Sequence, residues 1–193
     1  MNKLVLFSGG IDSSLMLYNT LESNNSNVIV LHIIIKNAHN RWEEELTACR
    51  KIVKLLKKSF TFEYIETTTI NNYAHTLDSI ACAFESAQLC SERFDTTRIS
   101  EVQFGWIKNE DYKSDVETSL TDGLGFPHHL FNAATIHLPA PPKLTFPLIN
   151  KTKKDVIQEL TLTGLKGLTF SCRTPIDGTA CGICKSCKEN KYK

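Results

Sequence analysis

The chain has 193 residues, 41% hydrophobic and 22% charged, the make-up of one soluble globular domain with at most a small appendage. Twenty-two basic against 21 acidic residues leave a formal charge of +1, so no global field suits it to coating nucleic acid or a membrane surface. Seven cysteines, with no signal-peptide core ahead of Ser8-Gly9-Gly10, argue against a disulfide-built secreted scaffold; no membrane span and a cytoplasmic location are expected.

In chain order, the apolar runs Leu4 to Phe7, Val28 to Ile35 and Phe60 to Ile65 read as buried strands of a parallel sheet. Helical spacing fills the gaps. Ser13 to Leu21 carries Leu15, Met16 and Leu17; Trp42 to Lys58 places Leu46, Cys49, Ile52, Val53 and Leu56 on one face and lysines on the other; a third helix is expected from Asn72 to Cys90. Glu101 to Ile107 reads as a fourth strand and Ala134 to Leu138 as a fifth. Thr152 to Leu162 reads as a late helix opened by the capping pattern Thr152-Lys-Lys-Asp155. Between Lys108 and Pro147, Gly123-Leu-Gly125, Pro127 and Pro139-Ala-Pro-Pro142 predict loops, with His128, His129 and His137 as surface-loop residues. Strand and helix alternate, so the fold class is α/β.

The segment Ser8-Gly9-Gly10-Ile11-Asp12-Ser13-Ser14 falls where the first strand ends and the first helix begins, the place an α/β sheet keeps for ligands. Its glycines let the backbone approach an anion. The hydroxyls of Ser8, Ser13 and Ser14 and the helix amino end supply donors for phosphate oxygens. Asp12, a carboxylate beside a polyphosphate, is placed to hold Mg2+. No lysine follows the second glycine and no G-x-G-x-x-G spacing is present, which sets aside the two commonest nucleotide loops.

Four of the seven cysteines crowd the carboxyl end as C-x8-C-x2-C-x2-C: Cys172, Cys181, Cys184 and Cys187. Thiolates two residues apart converge on one metal, and a zinc ion closed by four sulfurs orders a segment too short for its own core. Zinc bound structurally is the favoured reading, with an iron–sulfur cluster as the alternative. Cys82 and Cys90, on the third helix, are expected to be buried as small apolar residues.

The loop resembles that of the PP-loop ATP pyrophosphatases, which cleave ATP between the α and β phosphates to adenylate a substrate. Taken with Pro147-Leu148, Thr152-Lys153, Ser171-Cys172 and Cys181-Gly182-Ile-Cys184-Lys-Ser-Cys187, in that order, the chain resembles the 7-cyano-7-deazaguanine synthases. Glu45-Leu46 near the second helix and Gly105 after the fourth strand agree with that pattern. The middle departs from it. Ala38-His39-Asn40 stands where the family has Tyr-Gly-Gln, no Arg-Asn pair precedes the third helix, and Asp111-Tyr112 is the nearest match to Tyr-Pro-Asp-Cys.

The resemblance implies a Rossmann-type PP-loop domain over residues 1–166, a parallel sheet with helices on both faces, carrying a zinc-binding tail over 167–193. It implies an ATP-dependent carbon–nitrogen ligase of queuosine biosynthesis that adenylates a small carboxylate, 7-carboxy-7-deazaguanine, and uses ammonia to form the amide and then the nitrile. ATP would lie against Phe7, Ser8, Gly9, Gly10, Asp12, Ser13, Ser14 and Gly105, with the backbone of Leu31 and His32 at the end of the second strand facing adenine. Asp12 would hold Mg2+ and Lys153 would approach the phosphates. A homodimer is compatible with the resemblance. The alternatives are a PP-loop protein acting on another carboxylate, a protein or tRNA, and an ATP-binding module without chemistry.

Overall fold

The computed structural model describes residues 2–23, 26–70, 78–107 and 125–190. Five parallel strands form one sheet in the order β3-β2-β1-β4-β5: β1 (Asn2–Leu6), β2 (Asn27–Lys36), β3 (Glu63–Ile70), β4 (Ile99–Gln103) and β5 (Lys143–Thr145). The first crossovers are α1 (Ile11–Glu22), α2 (Trp42–Leu56) and α3 (Asp78–Glu92). Then α4 (Gly125–Thr135) precedes β5, and α5 (Lys153–Leu162) and the short α6 (Lys185–Asn190) follow it. None of the described helices is long and apolar enough to cross a membrane.

Strand alternation splits the core in two. Val5, Val28 and Val30 face α1, α2 and α5, where Met16, Leu17, Ile52 and Leu160 pack without exposure, while Leu4, Leu6, Ile29, Leu31 and Ile33 face α3 and α4. Cys90 is buried in the second core and the half-buried Cys82 packs against it, and burial first pushes both thiols up to about 12. They pack as apolar residues.

Three expectations are corrected. The third strand runs to Ile70 rather than stopping at Ile65, because β3 is an edge strand and Thr67-Thr68-Thr69 pair with Ile33-Ile34-Ile35 without needing an apolar run. The strand expected at Ala134 to Leu138 is absent: Phe131, Thr135 and Leu138 are buried at spacings of four and three, and 125–135 is helix with Pro127 in its first turn. The fifth strand is Lys143–Thr145, paired with Glu101–Gln103, so the predicted loop region holds a helix and a strand. The start of the third helix at Asn72 and the part of that loop region from Lys108 to Leu124 lie outside the described residues.

The capping box forms as the sequence predicts. Asp155 N–H donates to Thr152 Oγ1 at 3.3 Å and Thr152 N–H donates to Asp155 Oδ2 at 2.9 Å, starting α5 at Lys153. That start fixes where the Lys153 side chain leaves the helix.

Candidate functional site

β1 gives way to α1 through Ser8-Gly9-Gly10, at the carboxyl ends of the parallel strands. Gly9 has φ +70 and lies against α2: a Cβ there would stand 3.0 Å from Cys49 Sγ and 3.1 Å from both Cys49 N and Glu45 O. Only glycine fits. Gly9→Ala is expected to cost about 1–3 kcal/mol in backbone strain alone and to abolish ATP binding, read by urea denaturation and by nucleotide titration. Gly105, just after β4, passes 3.1 Å from Ser13 Cα and N when given a Cβ, so it lets this connection run against the first turn of α1. Its place is a close backbone approach under the loop.

The serines divide. Ser8 is exposed, its hydroxyl 3.0 Å from that of Ser13, which also accepts the Ser8 N–H at 3.2 Å and donates to the Gly10 carbonyl at 3.3 Å. Ser14 does not join them: it is fully buried, and its hydroxyl has no hydrogen-bond partner among the described residues.

Lys153 reaches Asp12 across 141 residues of sequence, its Nζ donating to both carboxylate oxygens at 2.8 and 2.7 Å. Asp12 sits in the first turn of α1 and Lys153 in the first turn of α5, both side chains about one-quarter exposed. Their charges cancel each other at the mouth of the loop.

Leu31 and His32 are placed differently from expectation. β2 runs on to Lys36, so both residues are internal to the strand, and the Leu31 carbonyl already accepts the Phe7 N–H at 2.9 Å. Strand parity leaves Ile33 as the next residue whose backbone points to the edge beyond the end of β1. His32 acts here through its side chain. It is buried beneath the loop, with Nδ1 2.9 Å from the Phe7 carbonyl and 3.3 Å from Cys49 Sγ, and burial first lowers its pKa. A neutral ring that donates from Nδ1 pins the residue preceding Ser8.

Two features of the site carry no signal in local sequence. A charged cluster flanks the loop: Arg41 pairs with Glu45 at 3.1 Å and with Asp78, which also accepts from Asn37 at 3.0 Å and lies 4.0 Å from Arg173. Burial first pushes Glu45 up to about 7, against the pull of Arg41. The other feature is Ser171, whose hydroxyl accepts the Ile11 N–H at 3.2 Å, while the neighbouring Phe170 N–H donates to the Gly9 carbonyl at 2.9 Å.

The sulfurs of Cys172, Cys181, Cys184 and Cys187 all lie within 4.8 Å of one another, and those of Cys181 and Cys187 are 3.9 Å apart. Four thiolates around one ion at about 2.3 Å place their sulfurs about 3.8 Å apart, so the set fits a single tetrahedral metal. The Cys181 N–H donates to Cys172 Sγ at 3.3 Å and the Cys184 N–H to Cys181 Sγ at 3.4 Å. The Thr174 hydroxyl first draws Cys181 down to about 5, while burial first holds Cys187 up at about 12. A cation would displace the protons that remain. Of the histidines, His128 and His129 lie on α4, and His137 Nε2 stands 3.3 Å from the Ser91 hydroxyl.

Compared with known proteins, the chain finds no match in sequence among curated ones. Among solved structures it is similar to the U34-tRNA thiolase NcsA from Methanococcus maripaludis, described with its [4Fe-4S] cluster, at 17% identity and a TM-score of 0.57. That likeness covers 98% of this chain and 63% of the thiolase, so the chain spans less than two-thirds of that protein's length. A weaker likeness, 14% identical with a TM-score of 0.45 over 83% of this chain and 74% of the other, is to a predicted subunit of tRNA methyltransferase from Methanocaldococcus jannaschii. The thiolase shares the fold. The family described as queuosine biosynthesis protein QueC matches residues 2–192, from the first residue of β1 to beyond the last cysteine, and the chain belongs to that family.

Proposed function

We propose that the chain is an ATP-dependent carbon–nitrogen ligase of queuosine biosynthesis that adenylates 7-carboxy-7-deazaguanine and, with ammonia, carries it through the amide to the nitrile. The observation that supports this most is the meeting of Asp12 and Lys153 at the loop. It sets a carboxylate for Mg2+ and a cation for phosphate side by side, where a triphosphate lying along Ser8, Gly9, Gly10 and Ser13 would part them.

The substrate carboxylate attacks the α-phosphorus, the bond to the bridging oxygen breaks, and pyrophosphate leaves with the electron pair. Ammonia adds to the acyl carbon and AMP departs with loss of a proton, giving the amide. A second ATP adenylates the amide oxygen with release of pyrophosphate, and loss of AMP and of both protons of the amide nitrogen leaves the nitrile. In each activation the loop serines and α1 amino end would hold the leaving pyrophosphate, and Lys153 would offset charge at the α-phosphorus. A mononuclear zinc ion is assigned to the four cysteines, in preference to an iron–sulfur cluster, on their spacing. Four thiolates fill its coordination, so it serves structure.

Incubation with ATP, Mg2+, ammonia and 7-carboxy-7-deazaguanine is expected to release pyrophosphate and AMP and to yield the nitrile. Pyrophosphate without nitrile would move the substrate to another carboxylate. Tight ATP binding with no pyrophosphate release across a panel of carboxylates would overturn the ligase.

A further inference from the structure

The amino end of α1 should be the open end of a phosphate loop, yet Gly10 at its cap has no side chain to close it. The missing cap arrives from 160 residues away. Ser171 Oγ accepts the Ile11 N–H at 3.2 Å and would stand 3.3 Å from a Cβ at Gly10. Among the described residues this is the one hydrogen bond of the Ser171 hydroxyl, which as acceptor keeps its own proton to donate. The side chain is half-buried rather than enclosed, so the hydroxyl can turn its proton to a ligand at the loop. One residue earlier, the Phe170 N–H fixes the Gly9 carbonyl at 2.9 Å; one residue later, Cys172 is a buried member of the four-cysteine set.

We propose that Ser171 is a phosphate-positioning residue of the loop, and that through Phe170-Ser171-Cys172 metal binding at the cysteines and triphosphate binding at the loop favour each other. The proposal rests on the nucleotide reading given above. Metal at the cysteines holds Cys172, and with it the Ser171 hydroxyl, at the helix end; without metal the tail loses its anchor and the loop loses a cap and a donor. Linkage makes the effect reciprocal, so ATP must raise metal affinity by the same factor by which metal raises ATP affinity.

Two measurements test this on the full chain. Calorimetric titration compares the wild type with Ser171→Ala for ATP, inorganic pyrophosphate and adenosine, with metal content and melting temperature followed alongside. The variant is expected to bind ATP and pyrophosphate about five-fold or more weakly and adenosine as the wild type does, at unchanged metal content. A variant that merely loosened the fold would weaken adenosine as well. In the wild type, competition with a zinc chelator is expected to show tighter zinc with saturating ATP present than absent, which holds the idea to account even if Ser171→Ala does not fold. Equal ATP and pyrophosphate affinities in wild type and variant, or zinc affinity indifferent to ATP, would overturn the proposal. Failure of the wild type to bind ATP at all would instead remove the nucleotide reading beneath it.

Discussion

Lys153→Ala is expected to lower the rate of pyrophosphate release by about 10²–10³-fold, the scale for loss of a charge-stabilising donor in a closed site. Stability should change by less than about 1 kcal/mol, because the Lys153–Asp12 pair is partly solvated, with side chains 24% and 29% exposed. That split between rate and stability is the diagnostic part. It is read by pyrophosphate release on one side and urea denaturation on the other. Removing the lysine also leaves the Asp12 carboxylate facing incoming phosphates without its partner, so ATP affinity should fall together with rate. Asp12→Asn alone should cost turnover through loss of the carboxylate proposed to hold Mg2+. The double variant should show non-additivity, as expected for two groups in direct contact. A Lys153→Ala protein with full turnover would end the assignment.

Cys184→Ser is expected to lower the melting temperature by about 10 °C or more and to leave less than one zinc per chain, as elemental analysis and thermal unfolding would record. The tail has little else to hold it. From Thr169 to Asn190 the buried side chains are Cys172 and Cys187, both in the metal set, while Ile176 and Ile183 are 58% and 71% exposed. Apolar burial therefore cannot fold this segment by itself, and the proposed ion would act as its core. Limited proteolysis should cut the variant within the tail and spare the α/β sheet. A stable Cys184→Ser protein with a full complement of metal, or wild-type protein holding iron, would refute the zinc assignment.

The two outcomes also bear on each other through geometry. Phe170 and Ser171 fasten the tail to Gly9 and Ile11, so loss of the metal should reach the phosphate loop, whereas loss of Lys153 should not reach the metal. Zinc content in Lys153→Ala should stay at one per chain.

Local sequence carried much of this protein, and it did so wherever burial follows a simple period. The runs Val28 to Ile35 and Leu4 to Phe7 mark strands covered on both faces, and the spacing of Cys49, Ile52, Val53 and Leu56 marks the buried stripe of α2. The capping box at Thr152 and Asp155 could be read because both halves lie within one helical turn. The cysteine set could be read for a related reason: three of its four ligands lie within seven residues, so the chain cannot keep their sulfurs far apart.

Where the period breaks down, the reading failed. β5 is only three residues long, and the half-exposed second half of β3, from Glu66 to Ile70, carries no apolar run, so the first reads as loop and the second is left out of its strand. The helix over 125–135 was hidden by Pro127, which reads as a breaker yet is tolerated in a first turn that has no hydrogen bond to lose. His32 could be picked out, but not its task. Whether a strand residue offers its backbone or its side chain depends on where the neighbouring strand stops, and β1 stops at Leu6.

By itself, then, the sequence determined the alternation of strand and helix, the glycine turn at a strand end and the convergence of four thiols, since each is set by neighbours a few residues away. Only the tertiary structure decided that Lys153 meets Asp12 and that Ser171 closes α1. Those contacts join residues 141 and 160 positions apart, and they form because the sheet order sets β1 at its centre, α5 packs against α1, and the tail folds back over the loop. No local pattern encodes a meeting of that range; it follows from how the layers stack.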